Sequence, residues 1–213
     1  NGAMTSKVWT SGAASISEGF TFDNVQGLVT KYTKSTGSVS EDWRYRYSAS
    51  GEREQKRLYS KTNIPAKEWN YYLLDGAKRQ LAVYKGIETT QSSCSTTVDP
   101  YVYLTPTEYL SYGVGSVHSL TTKLKSSTAT VKEYSIQDHL GSTRVVIMRD
   151  DLKNVSVLSR FDYEPFGSIL WQSGLAQRKG FIDKEEDKES GLGDFGVRKY
   201  DSDFGRFTSI DPL

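Results

Sequence analysis

The chain has 213 residues, 36% of them hydrophobic, and carries 27 Lys plus Arg against 26 Asp plus Glu, a formal charge of +1. That is enough apolar material for one large domain or two small ones with a real core, which excludes a disordered chain, and it is too near neutrality for a general binder of nucleic acid or anionic lipid. The longest aliphatic run, Val145 to Met148, falls far short of the ~20 apolar residues of a membrane helix.

Composition favours strands. Twelve per cent of residues are aromatic, 14 of them Tyr, and 18 Gly with only 5 Pro punctuate the chain, which reads as an all-β fold of repeated antiparallel hairpins with little helix. Residues 1 to 4, Asn-Gly-Ala-Met, read as a cloning scar, and the end at Asp211-Pro-Leu213 reads as a fragment boundary. Residues 5–129 are expected to form degenerate hairpins and 130–213 a distinct C-terminal segment.

In chain order, Trp43-Arg-Tyr-Arg-Tyr47 alternates so that the rings point one way and Arg44 and Arg46 the other, the pattern of a half-buried strand. A turn at Ser48 to Gly51 and a return over Glu52 to Ser60, with Leu58 as the aliphatic anchor, complete a hairpin. A second hairpin joins Tyr71–Leu74 to Gln80–Lys85 through Asp75-Gly76, a two-residue turn signal. Glu88 to Val98 reads as a loop that includes the lone Cys94, which has no internal disulfide partner and leaves the compartment open. Irregular strands are expected over Leu104 to Ser127. A third hairpin pairs Arg144–Arg149 with Val155–Phe161 across Asp150 to Asn154. A turn or two of helix is expected over Lys179 to Glu189, whose acidic run Asp183 to Glu189 is read as solvated.

Four segments share an aromatic residue followed at short distance by Gly: Phe22 to Gly27, Tyr45 to Gly51, Phe161 to Gly167 and Tyr200 to Gly205. Each describes a strand end, an Asp or Ser able to cap a turn, and a Gly free to take positive φ. These units resemble the YD repeats of RHS proteins. Asp138-His-Leu-Gly-Ser-Thr-Arg144, Tyr163-Glu-Pro-Phe-Gly167 and the tail Arg198-Lys-Tyr-Asp201…Gly205-Arg-Phe207…Asp211-Pro212 resemble the RHS repeat-associated core domain. The resemblance implies a curved sheet belonging to a spiral shell that encloses and helps release a C-terminal toxin, as in the C components of Tc toxins and in Rhs effectors. It also implies a secreted or cell-surface parent protein, whose partners are its own toxin segment and shell or delivery proteins. Open strand edges add self-association as an expectation.

By the same resemblance Arg198 and Asp211 match an aspartyl-type self-cleavage motif, in which one carboxylate takes a proton from water and a second donates one to the amide. The family's second Asp lies beyond residue 213, so this half site is expected to be inactive alone. Asp201 and Asp203 read better as turn caps, and the alternative for Arg198 is a structural ion pair. No cofactor or metal is expected: Gly191-x-Gly193-x-x-Gly196 lacks a βαβ setting, Asp194-Phe-Gly196 lacks the rest of a kinase, and His118 and His139 with one Cys make no zinc cluster. Ser116 and His118 lack an orienting acid. Two other functional classes remain open: a surface module binding carbohydrate or a partner protein through exposed Trp43, Trp69 or Trp171, and an incomplete self-cleaving peptidase.

Overall fold

The computed structural model describes residues 3–11, 14–23, 26–62, 68–89, 101–113, 117–124, 129–150 and 152–211. Thirteen strands are hydrogen-bonded in sequence order in one antiparallel sheet. They are β1 (Ser6–Ser11), β2 (Ala14–Phe22), β3 (Val29–Thr36), β4 (Val39–Tyr47), β5 (Arg53–Lys61), β6 (Glu68–Leu74) and β7 (Gln80–Thr89), then β8 (Tyr101–Tyr112), β9 (Val117–Leu124), β10 (Thr130–Gln137), β11 (Thr143–Arg149), β12 (Val155–Tyr163) and β13 (Ile169–Gly174). After a 3-10 turn at Phe181–Asp183, a second antiparallel sheet comprises β14 (Glu185–Asp187), β15 (Leu192–Asp194), β16 (Lys199–Asp201) and β17 (Arg206–Phe207). Two compact units divide the chain, residues 1–106 with 209–213 and residues 107–208.

One backbone device recurs across both units. At Ser48–Glu52, Asp75–Arg79, Asp138–Ser142, Asp150–Asn154 and Glu164–Ser168, the first residue's N–H donates to the fifth residue's carbonyl, and the fourth residue's N–H donates to the first residue's carbonyl. The fourth residue is left-handed every time: Gly51, Lys78, Gly141, Lys153 and Gly167 have φ of 82°, 66°, 87°, 67° and 94°. This is a three-residue hairpin loop with a bulge, whose twist suits the flanking strands. The glycines of all four aromatic-to-Gly segments, including Gly27 and Gly205, have positive φ, as their spacing predicts.

The hairpin at Asp75-Gly76 is real, but its turn type differs from the two-residue expectation. The connection runs to Arg79, and Lys78 rather than Gly76 takes the left-handed position. Asp75 makes the longer loop favourable by accepting the N–H groups of Ala77 and Arg79 at 2.8 and 2.9 Å and the Arg79 guanidinium at 2.8 Å. The predicted irregular strands beyond Leu104 are the regular β8 and β9, and Glu88 and Thr89 belong to β7 rather than to a loop, while residues 90–98, with Cys94, lie outside the described residues.

Within the first unit the core is a cross-strand row. Register places Phe20 opposite Tyr32, Tyr32 opposite Trp43, and Trp43 opposite Leu58. The Phe20 and Tyr32 rings are 5.3 Å apart, and fully buried Tyr32 donates its hydroxyl to Glu18 at 2.7 Å. β4 follows the predicted alternation: Tyr45 is buried while Arg44 and Arg46 are exposed. On the cationic face, the Arg44 guanidinium lies 3.7 Å from the Tyr59 ring centroid, and Arg57 lies 3.6 Å from Trp69, which is its cross-strand partner. Arg53, Gln55 and Lys56 are buried beside Leu58, so β5 contributes polar as well as aliphatic anchoring. At the other end of the strand order, β13 is exposed along its whole length, Trp171 included.

Two predictions follow from the turns. Lys153→Gly removes a left-handed side chain and should be neutral to stabilising by up to about 1 kcal/mol, whereas Gly141→Ala should cost about 1 kcal/mol or more in urea denaturation. The turn carboxylates also set an acid limit. Hydrogen bonds from Arg79 lower Asp75, and those from Asn154 lower Asp150. At Asp138 partial burial pushes upward, but the Ser142 N–H and the Arg144 guanidinium outweigh it and the carboxyl is lowered. A lowered folded-state value gives stability that is present above the ordinary aspartate range and lost as pH falls through the folded value. The urea midpoint should therefore fall between about pH 5 and pH 2, less steeply in Asp138→Asn.

Candidate functional site

The C-terminal sheet has two faces of opposite chemistry. Its register aligns Glu185 with Asp194 and Asp194 with Lys199, and aligns Asp187 with Leu192 and Leu192 with Asp201. The intervening row runs Glu186, Gly193, Tyr200, Phe207. Period two sends the first two rows to one side and the third to the other.

The first side is buried and charged. The Lys199 ammonium, 3% exposed, sits 2.5 Å from Asp187 Oδ2 and 3.2 Å from Asp194 Oδ1, and Asp187 is 0% exposed. Arg178 bridges Glu108 at 2.9 Å and Glu185 at 2.7 Å. Charges this far from water persist only when paired. This corrects the solvated helical reading of residues 179–189: Glu185 and Asp187 are buried in a strand, and only Phe181–Asp183 is helical, as a single 3-10 turn. Alternation separates Glu185 and Asp187 from Glu186 and Lys188. Their cationic partners come from Arg178 and Lys199, which no local reading of the acidic run supplies.

The second side is aromatic. Phe195, Tyr200 and Phe207 pack with centroids 5.0 to 5.7 Å apart, and the Tyr200 hydroxyl donates to the Phe166 carbonyl at 3.0 Å. This face borders a cavity of about 330 Å³ whose other walls come from β12, β13 and residues 176–181. Phe161 and Tyr163 stack at 6.2 Å, and Tyr163 meets Phe181 at 5.8 Å. Gly167 allows this closure, because a Cβ there would stand 2.4 Å from the Phe181 ring. Burial pushes the Tyr163 hydroxyl well above its usual range. Burial is also the main reason the Glu186 carboxyl is raised; Asp187 and Asp203 add to this and Lys188 opposes it.

Arg198 lies on the aromatic side, with its guanidinium 3.8 Å from the Phe207 ring centroid. Asp211 is exposed and belongs to the other compact unit. Asp201 accepts the N–H groups of Asp203 and Phe204 at 3.0 and 3.3 Å, the turn-capping role read from the sequence. Gly191 and Gly196 are turn glycines of a β-sheet, with φ of 70° and 80°, and no helix follows them. His139 lies in the Asp138–Ser142 turn; Gly115, Ser116 and the His118 side chain lie outside the described residues. Among the described residues no group of three or more His, Cys, Asp or Glu side chains is arranged to hold a metal ion.

No family model matches the chain. Salivary gland surface protein 1 of Aedes aegypti is 30% identical over 174 residues, which is 78% of this chain but 4% of that protein. The crystal structure of TcdB2-TccC3-TEV matches 92% of this chain with a TM-score of 0.57 and 20% identity, covering 9% of that chain. A Tc holotoxin pore structure from Photorhabdus luminescens aligns over 94% of this chain and 12% of that chain, with a TM-score of 0.41 and 15% identity. The chain thus spans a small part of the proteins it matches, and it shares the fold of a segment of a Tc toxin assembly.

The charged side predicts a specific sensitivity. Lys199→Met keeps the side-chain length but strands Asp187 and Asp194 without their shared ammonium, and should destabilise the chain by about 3–5 kcal/mol in chemical denaturation. A loss below about 1 kcal/mol would mean that water reaches these carboxylates.

Proposed function

We propose that this chain is a stretch of an RHS-type shell wall whose role in the parent protein is to enclose a C-terminal toxin or effector segment and to help release it. The observation that carries this reading is the thirteen-strand sheet in sequence order, closed at five places by the same left-handed turn. A chain built this way extends by adding hairpins, and each strand is stiffened by its neighbours although a lone hairpin is marginal. The fold likeness to a Tc toxin assembly supports the same reading. A secreted or cell-surface parent is part of the proposal, as are shell or delivery proteins as partners.

In this proposal Arg198 and Asp211 serve the parent's self-cleavage as one half of an aspartyl-type site. A second reading, a surface module for carbohydrate or a protein partner, is favoured by Trp171, which is 51% exposed on β13, and by the relative named as a surface protein. Trp43 and Trp69 are half-buried and contribute less to it.

The test uses the parent polypeptide. The segment following residue 213 should resist trypsin in the native protein and become cleavable when fully buried Tyr32 is replaced by Asp, which opens the wall. Equal digestion of the segment with and without Tyr32→Asp sinks the enclosure reading. Spontaneous chain cleavage on a gel should vanish in Asp211→Asn, while glycan-array binding lost in Trp171→Ala would favour the surface module instead.

A further inference from the structure

The cavity of the C-terminal unit has the chemistry of a small-molecule site, independent of any role in a shell wall. Its volume of about 330 Å³ falls within the range of ligand pockets, which are mostly apolar with a few placed polar groups. Two aromatic banks line it: Phe161, Tyr163 and Phe181 on one side, Phe195 and Tyr200 on the other. Such walls favour a flat apolar body.

Charge selects the rest of the ligand. Four cations and one carboxyl line the cavity, but Arg178 is committed to Glu108 and Glu185, and Lys179 to Asp183 at 2.9 Å. Lys184 and Lys188 remain, and neither makes a salt bridge among the described residues; Lys184 lies 5.7 Å from the Phe195 ring centroid. Strand alternation sends residues 184, 186 and 188 to the cavity side while 185 and 187 point into the buried charge cluster. The carboxyl between the two amines, Glu186, is raised, chiefly by desolvation, with Lys188 opposing. The pocket therefore presents two ammonium donors on either side of a single carboxyl group.

We propose that this cavity binds a flat apolar ring bearing a carboxylate, with the ring between the aromatic banks and the carboxylate held by Lys184 and Lys188. An aryl ammonium ion is excluded by the two amines, and a neutral ring forgoes the charge-assisted hydrogen bonds.

The experiment is calorimetric titration of the 213-residue chain with 2-naphthoate, 2-naphthylmethanol and 2-naphthylmethylammonium. Naphthoate should bind more tightly than the alcohol, and the ammonium ion most weakly. The double variant Lys184→Gln/Lys188→Gln should lose about tenfold in naphthoate affinity without changing that of the alcohol. Glu186→Gln should strengthen naphthoate binding. Ala176→Trp, at an exposed position on the cavity wall, should abolish binding of all three with an unchanged circular dichroism spectrum. The proposal is overturned if the ammonium ion or the alcohol binds as tightly as naphthoate, if the double lysine variant binds naphthoate unchanged, or if the folded wild-type chain binds none of them.

Discussion

A pair of backbone hydrogen bonds around one left-handed residue governs how this sheet is assembled. At each of the five turns the N–H of the first residue reaches the fifth carbonyl and the N–H of the fourth returns to the first. The geometry fixes strand register at these turns, and register decides which residues share a face. In the row Phe20, Tyr32, Trp43, Leu58, the Ser48–Glu52 turn joins the strands that bring Trp43 opposite Leu58, while other connections join the strands of the first two pairs. Asp75, Asp138 and Asp150 reinforce the constraint by taking up the N–H of the turn's last residue through their carboxylates. Left-handed backbone is costly for a side chain, yet Lys78 and Lys153 accept it where the aspartate caps the loop.

With register set, the sheet tolerates an unusual amount of buried polarity. Glu18, Arg53, Lys56 and Glu133 are all buried in β2, β5 and β10, and each meets a partner chemistry nearby. Glu18 accepts from Tyr32, Arg53 lies over Tyr45 and Tyr72, Lys56 lies over Trp43, and Glu133 pairs with Lys123 at 2.8 Å. A sheet whose core side is stitched by cation–π and charge-assisted contacts holds its orientation through directional interactions as well as apolar burial. The C-terminal unit carries this furthest, where buried Lys199 is shared between two aspartates.

The strands were legible wherever period two was carried by aromatic residues. Trp43 to Tyr47 announced both its face and its partner, because rings and guanidinium groups alternate without interruption. The turn glycines Gly27, Gly51, Gly167 and Gly205 were legible because few other residues accept their backbone. The Asp75 turn misled because Asp-Gly is a strong local signal, and the decisive residue was Lys78, which carries no turn signature. The acidic run from Asp183 to Glu189 misled for a different reason. Charge alone reads as solvation, and the cations that bury Glu185 and Asp187 arrive from Arg178 and Lys199 through tertiary contact. The cavity was invisible for the same reason: its aromatic banks lie up to 39 positions apart, from Phe161 to Tyr200.

The two-sided C-terminal sheet carries a mechanical consequence. Its strands are only two or three residues long and alternate strictly between a dry ionic lattice and a ring-lined hollow. Sliding β14 by a single position would swing Glu186 into the lattice and expel both Glu185 and Asp187, breaking the ammonium bridges and emptying the hollow of its acid in one stroke. Intermediate alignments have no place to put these side chains, so the element behaves as a latch with a single seated position.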